Sequence, residues 1–134
     1  MVQVSRSIEL SAAPADVWAV AGPFQGLADW LPPVAKSVRE DVDGVEHRRL
    51  TLADGAVVVE KHWGVGDGMS YGYEITEPGP LPVADYKAVL TVAPSGTGTV
   101  VVWCSTFTAT GDGAEAAIAG VYESGFGTLK ERFG

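Results

Sequence analysis

Polar and apolar residues alternate from Val2 to Leu10, the period-two signature of a strand with one buried face. Ser11 to Pro14 then reads as a helix start, with proline near the first helical position and Asp16 in the first turn. The spacing predicts a short helix over about Ala15 to Ala21, stopped by Gly22-Pro23, and a second over Phe24 to Trp30, stopped by Pro32-Pro33. A series of strand patterns follows. Ala35 to Glu40 leads to a turn at Asp43-Gly44, Val45 to Leu52 to one at Asp54-Gly55, and Ala56 to Val65 to one at Asp67-Gly68. Such aspartate-glycine pairs suit tight hairpins because glycine accepts positive φ. Met69 to Thr76 alternates sharply, with Met69, Tyr71, Tyr73 and Ile75 on one face. Pro78 to Pro82 is a rigid turn, Val83 to Val92 and Thr99 to Thr108 are strands separated by Pro94-Ser95-Gly96, and Gly113 to Phe133 reads as one long helix.

Hairpin-length connections imply a mostly antiparallel sheet, so the expected class is α+β: seven strands, two short helices after the first, and a long helix at the end. A helix of about twenty residues is roughly 30 Å long, about the length of a strand of nine or ten residues. One helix can lie along the sheet but cannot cover seven strands, so the sheet must curl around it. Ala114, Ala116, Ala117, Ala119, Gly120, Gly125 and Gly127 make that helix thin. A thin helix inside a curled sheet leaves volume unfilled, which predicts an internal cavity.

The composition narrows the partners. The 134 residues carry nine Lys+Arg against 17 Asp+Glu, a net charge of -8, which disfavours nucleic acid and anionic lipid heads. The apolar content is enough for a proper core in one domain over residues 1–134. Cys104 is the sole cysteine, so neither an intrachain disulfide nor a Cys-rich zinc site is possible. The N-terminus lacks a long apolar run after a basic start, and no stretch of eighteen apolar residues occurs. The expectation is a cytoplasmic protein, monomer or weak dimer, with no membrane insertion and no cofactor.

The element order, with Pro14-Ala15-Asp16-Val17-Trp18, Phe24 to Trp30 before Pro32, Glu60-Lys61-His62, Leu81 to Lys87, Val102-Trp103 and Val121-Tyr122, resembles the START/birch-pollen-allergen superfamily over essentially the whole chain. Within it the chain looks like the bacterial polyketide cyclase/dehydrase-like (SRPBCC) proteins. The resemblance implies a helix-grip fold that binds an apolar or amphipathic molecule between sheet and helix. Glu60 to Lys87 is also similar to the plant abscisic-acid receptors, where Glu60 and Tyr86 fall on a pocket glutamate and a pocket tyrosine. The short turn Ala53-Asp54-Gly55 stands where those receptors carry a proline-containing gate loop, which argues against hormone-type gating.

Glu60 and His62 lie two apart on a strand and share a face. They either form a polar pair in the pocket, fit for acid–base work, or face solvent with Val57, Val59 and Trp63 inward; periodicity favours the second and the resemblance the first. Tyr71, Tyr73 and Tyr86 are pocket candidates through their hydroxyls, joined by Ala88. Trp103 and Ser105 are placed inward by resemblance and because Trp is costly to leave exposed, leaving Cys104 outward or at an interface. Trp30 sits where the family rims its pocket, as lid or anchor. Ile118, Val121, Tyr122, Gly125 and Leu129 form the helix stripe facing the sheet, with Val121, Tyr122 and Gly125 as ligand contacts.

Other patterns carry no chemistry. Gly64 to Gly68 is glycine-rich but leads into a strand, so it offers no helix N-terminus to a phosphate. His47 and His62 lack an acidic cluster at metal-ligand spacing. There is no Gly-x-Ser-x-Gly elbow. Arg48-Arg49 reads as a solvated basic step. The leading expectation is binding of a small lipid- or polyketide-like molecule. The alternatives are a cyclase, aromatase or dehydratase using Glu60 or His62, and a protein-interaction module with no ligand.

Overall fold

The computed structural model describes residues 1–64 and 68–134. Strand β1 (Val2–Leu10) is followed by helix α1 (Pro14–Ala21) and a 3-10 helix (Phe24–Asp29). Six strands come next: β2 (Val34–Val42), β3 (Val45–Leu52), β4 (Val57–Trp63), β5 (Ser70–Glu77), β6 (Val83–Ser95) and β7 (Gly98–Ala109). Helix α2 (Ala114–Phe133) ends the chain. All neighbours pair antiparallel in the order β1-β7-β6-β5-β4-β3-β2, a single curved sheet around α2. The α+β helix-grip architecture is therefore as the sequence implied.

The differences are local. The second short helix is 3-10 in form and closes at Asp29, with Trp30 just beyond it. The β6–β7 turn is centred on Gly96 and Thr97, since Ser95 pairs with Gly98, so Pro94 and Ser95 belong to the strand. The Asp67-Gly68 turn and the glycine-rich stretch around it fall partly outside the described residues.

Two features set the inner face. Asp85, at φ 52°, sits in a bulge of β6: the ladder runs from Ala84↔Thr108 to Lys87↔Thr106, so two residues oppose one. Strict alternation would send Val83 and Tyr86 to opposite faces; the extra residue buries both. The end of α2 is tied to the end of β1, where Ser11 and Ala12 donate backbone N–H bonds to the Phe133 carbonyl. Glu115 in the first turn of α2 and Lys130 and Arg132 in the last complement the helix dipole.

Candidate functional site

A cavity of about 80 Å³ lies between the sheet and α2. Leu27 of the 3-10 helix, Leu31 just after it and Val34 at the start of β2 cover it, Leu50, Val58 and Ile75 floor it from the sheet, and Ile118, Val121 and Tyr122 wall it from α2. Its accessible wall is almost wholly apolar. Among the described residues, Glu60 is the one carboxylate on it.

Glu60 is 6 % exposed and Arg48 beneath it is wholly buried. Arg48 Nε donates to Glu60 Oε1 at 2.7 Å. Nη2 stands at the same 2.7 Å from that oxygen but forms no properly angled hydrogen bond. Nη1 donates to the Phe24 carbonyl at 2.8 Å and reaches the Tyr71 hydroxyl at 3.5 Å. The guanidinium also lies 4.0 Å from the Phe24 ring centre and 4.9 Å from that of Tyr73. It therefore sits between aromatic faces that favour a cation. Burial pushes the Glu60 carboxyl above the usual carboxylate range, and Arg48 only partly offsets that. Burial works against the Arg48 charge, but the Glu60 carboxylate together with Tyr71 and Tyr73 more than offsets it, so the guanidinium stays protonated. Glu60 Oε2 takes no hydrogen bond from any described residue.

A second polar group lies beside the cavity. Trp103 Nε1 donates to the Tyr73 hydroxyl at 3.0 Å, Tyr73 and Tyr86 hydroxyls meet at 3.1 Å, and those of Tyr86 and Tyr122 are in short contact. Three hydroxyl protons serve two contacts, so one is left for a further acceptor. The Ser105 hydroxyl neighbours Tyr122 but makes no well-formed bond of its own. Burial is the main cause that pushes the phenols of Tyr73, Tyr86 and Tyr122 upward, so the chain stays neutral and acts through hydrogen bonds.

Glu60, Tyr73, Tyr86, Trp103, Val121 and Tyr122 thus line the cavity. Six other candidates do not. His62 packs on the Phe24 ring at 4.6 Å with Nδ1 3.5 Å from Glu46, away from the cavity and partly exposed, so Glu60 and His62 share a face without sharing a site. Tyr71 packs edge-on against Phe24 and neighbours Arg48. Ala88 and Ser105 are buried but lie outside the wall. Trp30 packs at a tilt against Trp103 with ring centres 5.5 Å apart, and its indole N–H has no hydrogen-bond partner among the described residues.

Gly125 does not leave room for a ligand: a Cβ there would stand 2.7 Å from Trp30 Cζ3 and 2.8 Å from Leu31 Cδ1. The space that the thin helix leaves at this point is filled by the 3-10 segment. Trp63 is 43 % exposed, so the reading that turned it inward and Glu60 outward is corrected.

Arg48 is the largest correction. It was expected in solvent with Arg49; only Arg49 is on the surface, paired with Glu40 at 2.7 Å. The register signals the difference. Arg48 pairs with Glu60 across β3–β4, and paired residues share a face. Most of the apolar lining, from Leu27 to Ile118, carried no separate signal because pocket wall and core use the same residue types.

A curved antiparallel sheet gripping a long helix over an apolar cavity defines a helix-grip protein. The profile of the polyketide cyclase/dehydrase and lipid transport family matches residues 1–134, and the chain belongs to that family. No curated protein matches it. Among solved structures it is similar to the protein XoxI from Bacillus cereus: 29 % identity, 99 % of this chain and 96 % of that one, TM-score 0.89. A Thermobifida fusca protein aligns at 28 % identity over 98 % and 93 %, TM-score 0.82. The Zhui aromatase/cyclase from a Streptomyces species shares the fold at 18 % identity over 97 % and 89 %, TM-score 0.67. Among the described residues no helix is long and apolar enough to cross a membrane, and no group of His, Cys, Asp or Glu could hold a metal.

Proposed function

We propose that the protein binds a small hydrophobic or aromatic molecule in the cavity between the sheet and α2. The observation that carries this reading is an almost wholly apolar cavity with, among the described residues, a single buried carboxylate on its wall. An apolar cavity of about 150 Å³ takes benzene. At about 80 Å³ the cavity takes a single-ring ligand only with some yielding of its cover. A fused-ring polyketide enters only if Leu27 and Leu31 give way. A catalytic reading draws support from the name of the Streptomyces neighbour, with Glu60 as the acid–base. Binding stands first because, among the described residues, no histidine or lysine joins Glu60 on the cavity wall.

Native mass spectra of freshly purified protein, with denaturing spectra as control, and NMR titration with small apolar and aromatic probes test this. The expected result is a reproducible added mass lost on denaturation, or saturable shifts at Val121 and Tyr122. Both abolished by Val121→Trp would place the ligand in the cavity. A clean apo mass together with no saturable shift for any probe overturns the reading.

A further inference from the structure

We propose that the cavity selects a neutral, hydroxyl-bearing ligand, whose O–H donates to Glu60 Oε2, and rejects both anions and cations; this rests on the cavity being a ligand site. The charges are already balanced within the protein. Arg48 is wholly buried and has Glu60 as its counterion, with Nε and Nη2 both 2.7 Å from Oε1. An anionic ligand would bring a second buried negative charge with no cation to meet it. A cationic ligand would leave Arg48 and the ligand sharing one carboxylate. Either carries the full desolvation cost of an unpaired buried charge. A neutral molecule carries none.

The polarity of the free group then sets the ligand's chemistry. An ionised carboxylate only accepts hydrogen bonds. Oε1 is engaged by Arg48, whereas Oε2 takes no bond from any described residue and belongs to a side chain on the cavity wall that is more than nine-tenths buried. Everything else on the accessible wall is nearly apolar. The tyrosine hydroxyls are largely occupied with one another and with Trp103. A hydrocarbon would leave Oε2 dry and unsatisfied; a hydroxyl at one end of an apolar body satisfies it. The shared chemistry is that of a small phenol or alcohol.

Four probes of similar size separate the cases: phenol, toluene, benzoate and benzylamine, titrated at neutral pH into wild type and Glu60→Gln and followed by amide NMR. Phenol is expected to bind wild type about tenfold to a hundredfold more tightly than toluene, the range of a hydrogen bond to a charged acceptor. Benzoate and benzylamine are expected to give no saturable shifts. In Glu60→Gln the preference for phenol over toluene is expected to shrink to within a few-fold. If benzoate or benzylamine binds as tightly as phenol, or if the preference survives in Glu60→Gln, this inference fails while the cavity remains a ligand site. If none of the four binds folded wild type, the cavity reading fails with it. If Glu60→Gln does not fold, the ranking of the four probes on wild type decides.

Discussion

At the scale of single residues, Arg48 and Glu60 hold the site together and are its main energetic risk. Two charges taken out of water cost more than their attraction returns unless the geometry is good, and breaking such a pair from one side costs about 3–5 kcal/mol. Arg48→Met is therefore expected to lower stability by about that amount, measured by urea unfolding, because Glu60 is left without its cation. The double variant Arg48→Met/Glu60→Leu is expected to regain most or all of it. If the double variant is no better than the single, the pair's charges are not the issue. The pH dependence has a definite sign. The folded carboxyl of Glu60 lies above its unfolded value near 4.5. Its contribution to stability is therefore complete below that value and is lost as pH rises through the folded one. The stability of wild type minus that of Glu60→Gln is expected to be greatest in acid and to fall as pH rises above about 4.5. A difference that instead grows with pH would mean that Arg48 holds the carboxyl below its usual range. Glu60 was legible as a pocket residue only through resemblance, since the periodicity around it favoured Val57, Val59 and Trp63 inward. Arg48 was not legible, because a two-residue basic step looks solvated until its cross-strand partner is known.

At the scale of elements, the pairing of α2 with the 3-10 segment sets the shape of the site. Strands and helices were readable to within a few residues because their stops are chemical: Asp43-Gly44 and Gly96 take positive φ, and Gly22-Pro23 ends α1. What the small residues of α2 are for was not readable. Gly125 seats Trp30 and Leu31, whereas a Cβ at Gly127 would meet nothing within 4 Å. The two glycines therefore predict opposite outcomes. Gly127→Ala is expected to stabilise by about 0.5–1 kcal/mol, the helix-propensity gain alone. Gly125→Ala has the same gain, but overpacking of about 1–3 kcal/mol works against it. It is expected to be destabilising and to move the emission of Trp30, which packs against Trp103. Equal stabilisation by both substitutions would show that the 3-10 segment yields freely, and that the seat at Gly125 does not hold it.

At the scale of the whole molecule, the sheet's curl around one helix was foreseeable from lengths alone, but the size of the cavity was not. Its volume is the residue of side-chain packing, and Leu27, Leu50 and Val58 look the same in a sequence whether they fill a core or border a void. The volume matters because about 80 Å³ is too small to admit even a benzene-sized guest unchanged. Something has to open. The sheet is fixed by continuous pairing from β1 to β2, and α2 by the Phe133 carbonyl at its end. The 3-10 segment is held by less: Arg132 to the Asp29 carbonyl, Arg48 to the Phe24 carbonyl, Gln25 to β3, and the seat at Gly125. Entry is therefore expected to require this segment to swing out before the ligand docks, which gives binding a step that does not depend on ligand concentration. In stopped-flow experiments the observed rate is expected to level off as phenol is raised. The plateau is expected to rise in Arg132→Ala, which removes the Arg132–Asp29 tether while leaving the cavity wall intact. Saturation kinetics with a plateau that Arg132→Ala leaves unmoved would shift the opening to another element. A rate that stays linear in ligand up to the diffusion-limited range would mean that the cavity stands open, and that its closed volume places no limit on what enters.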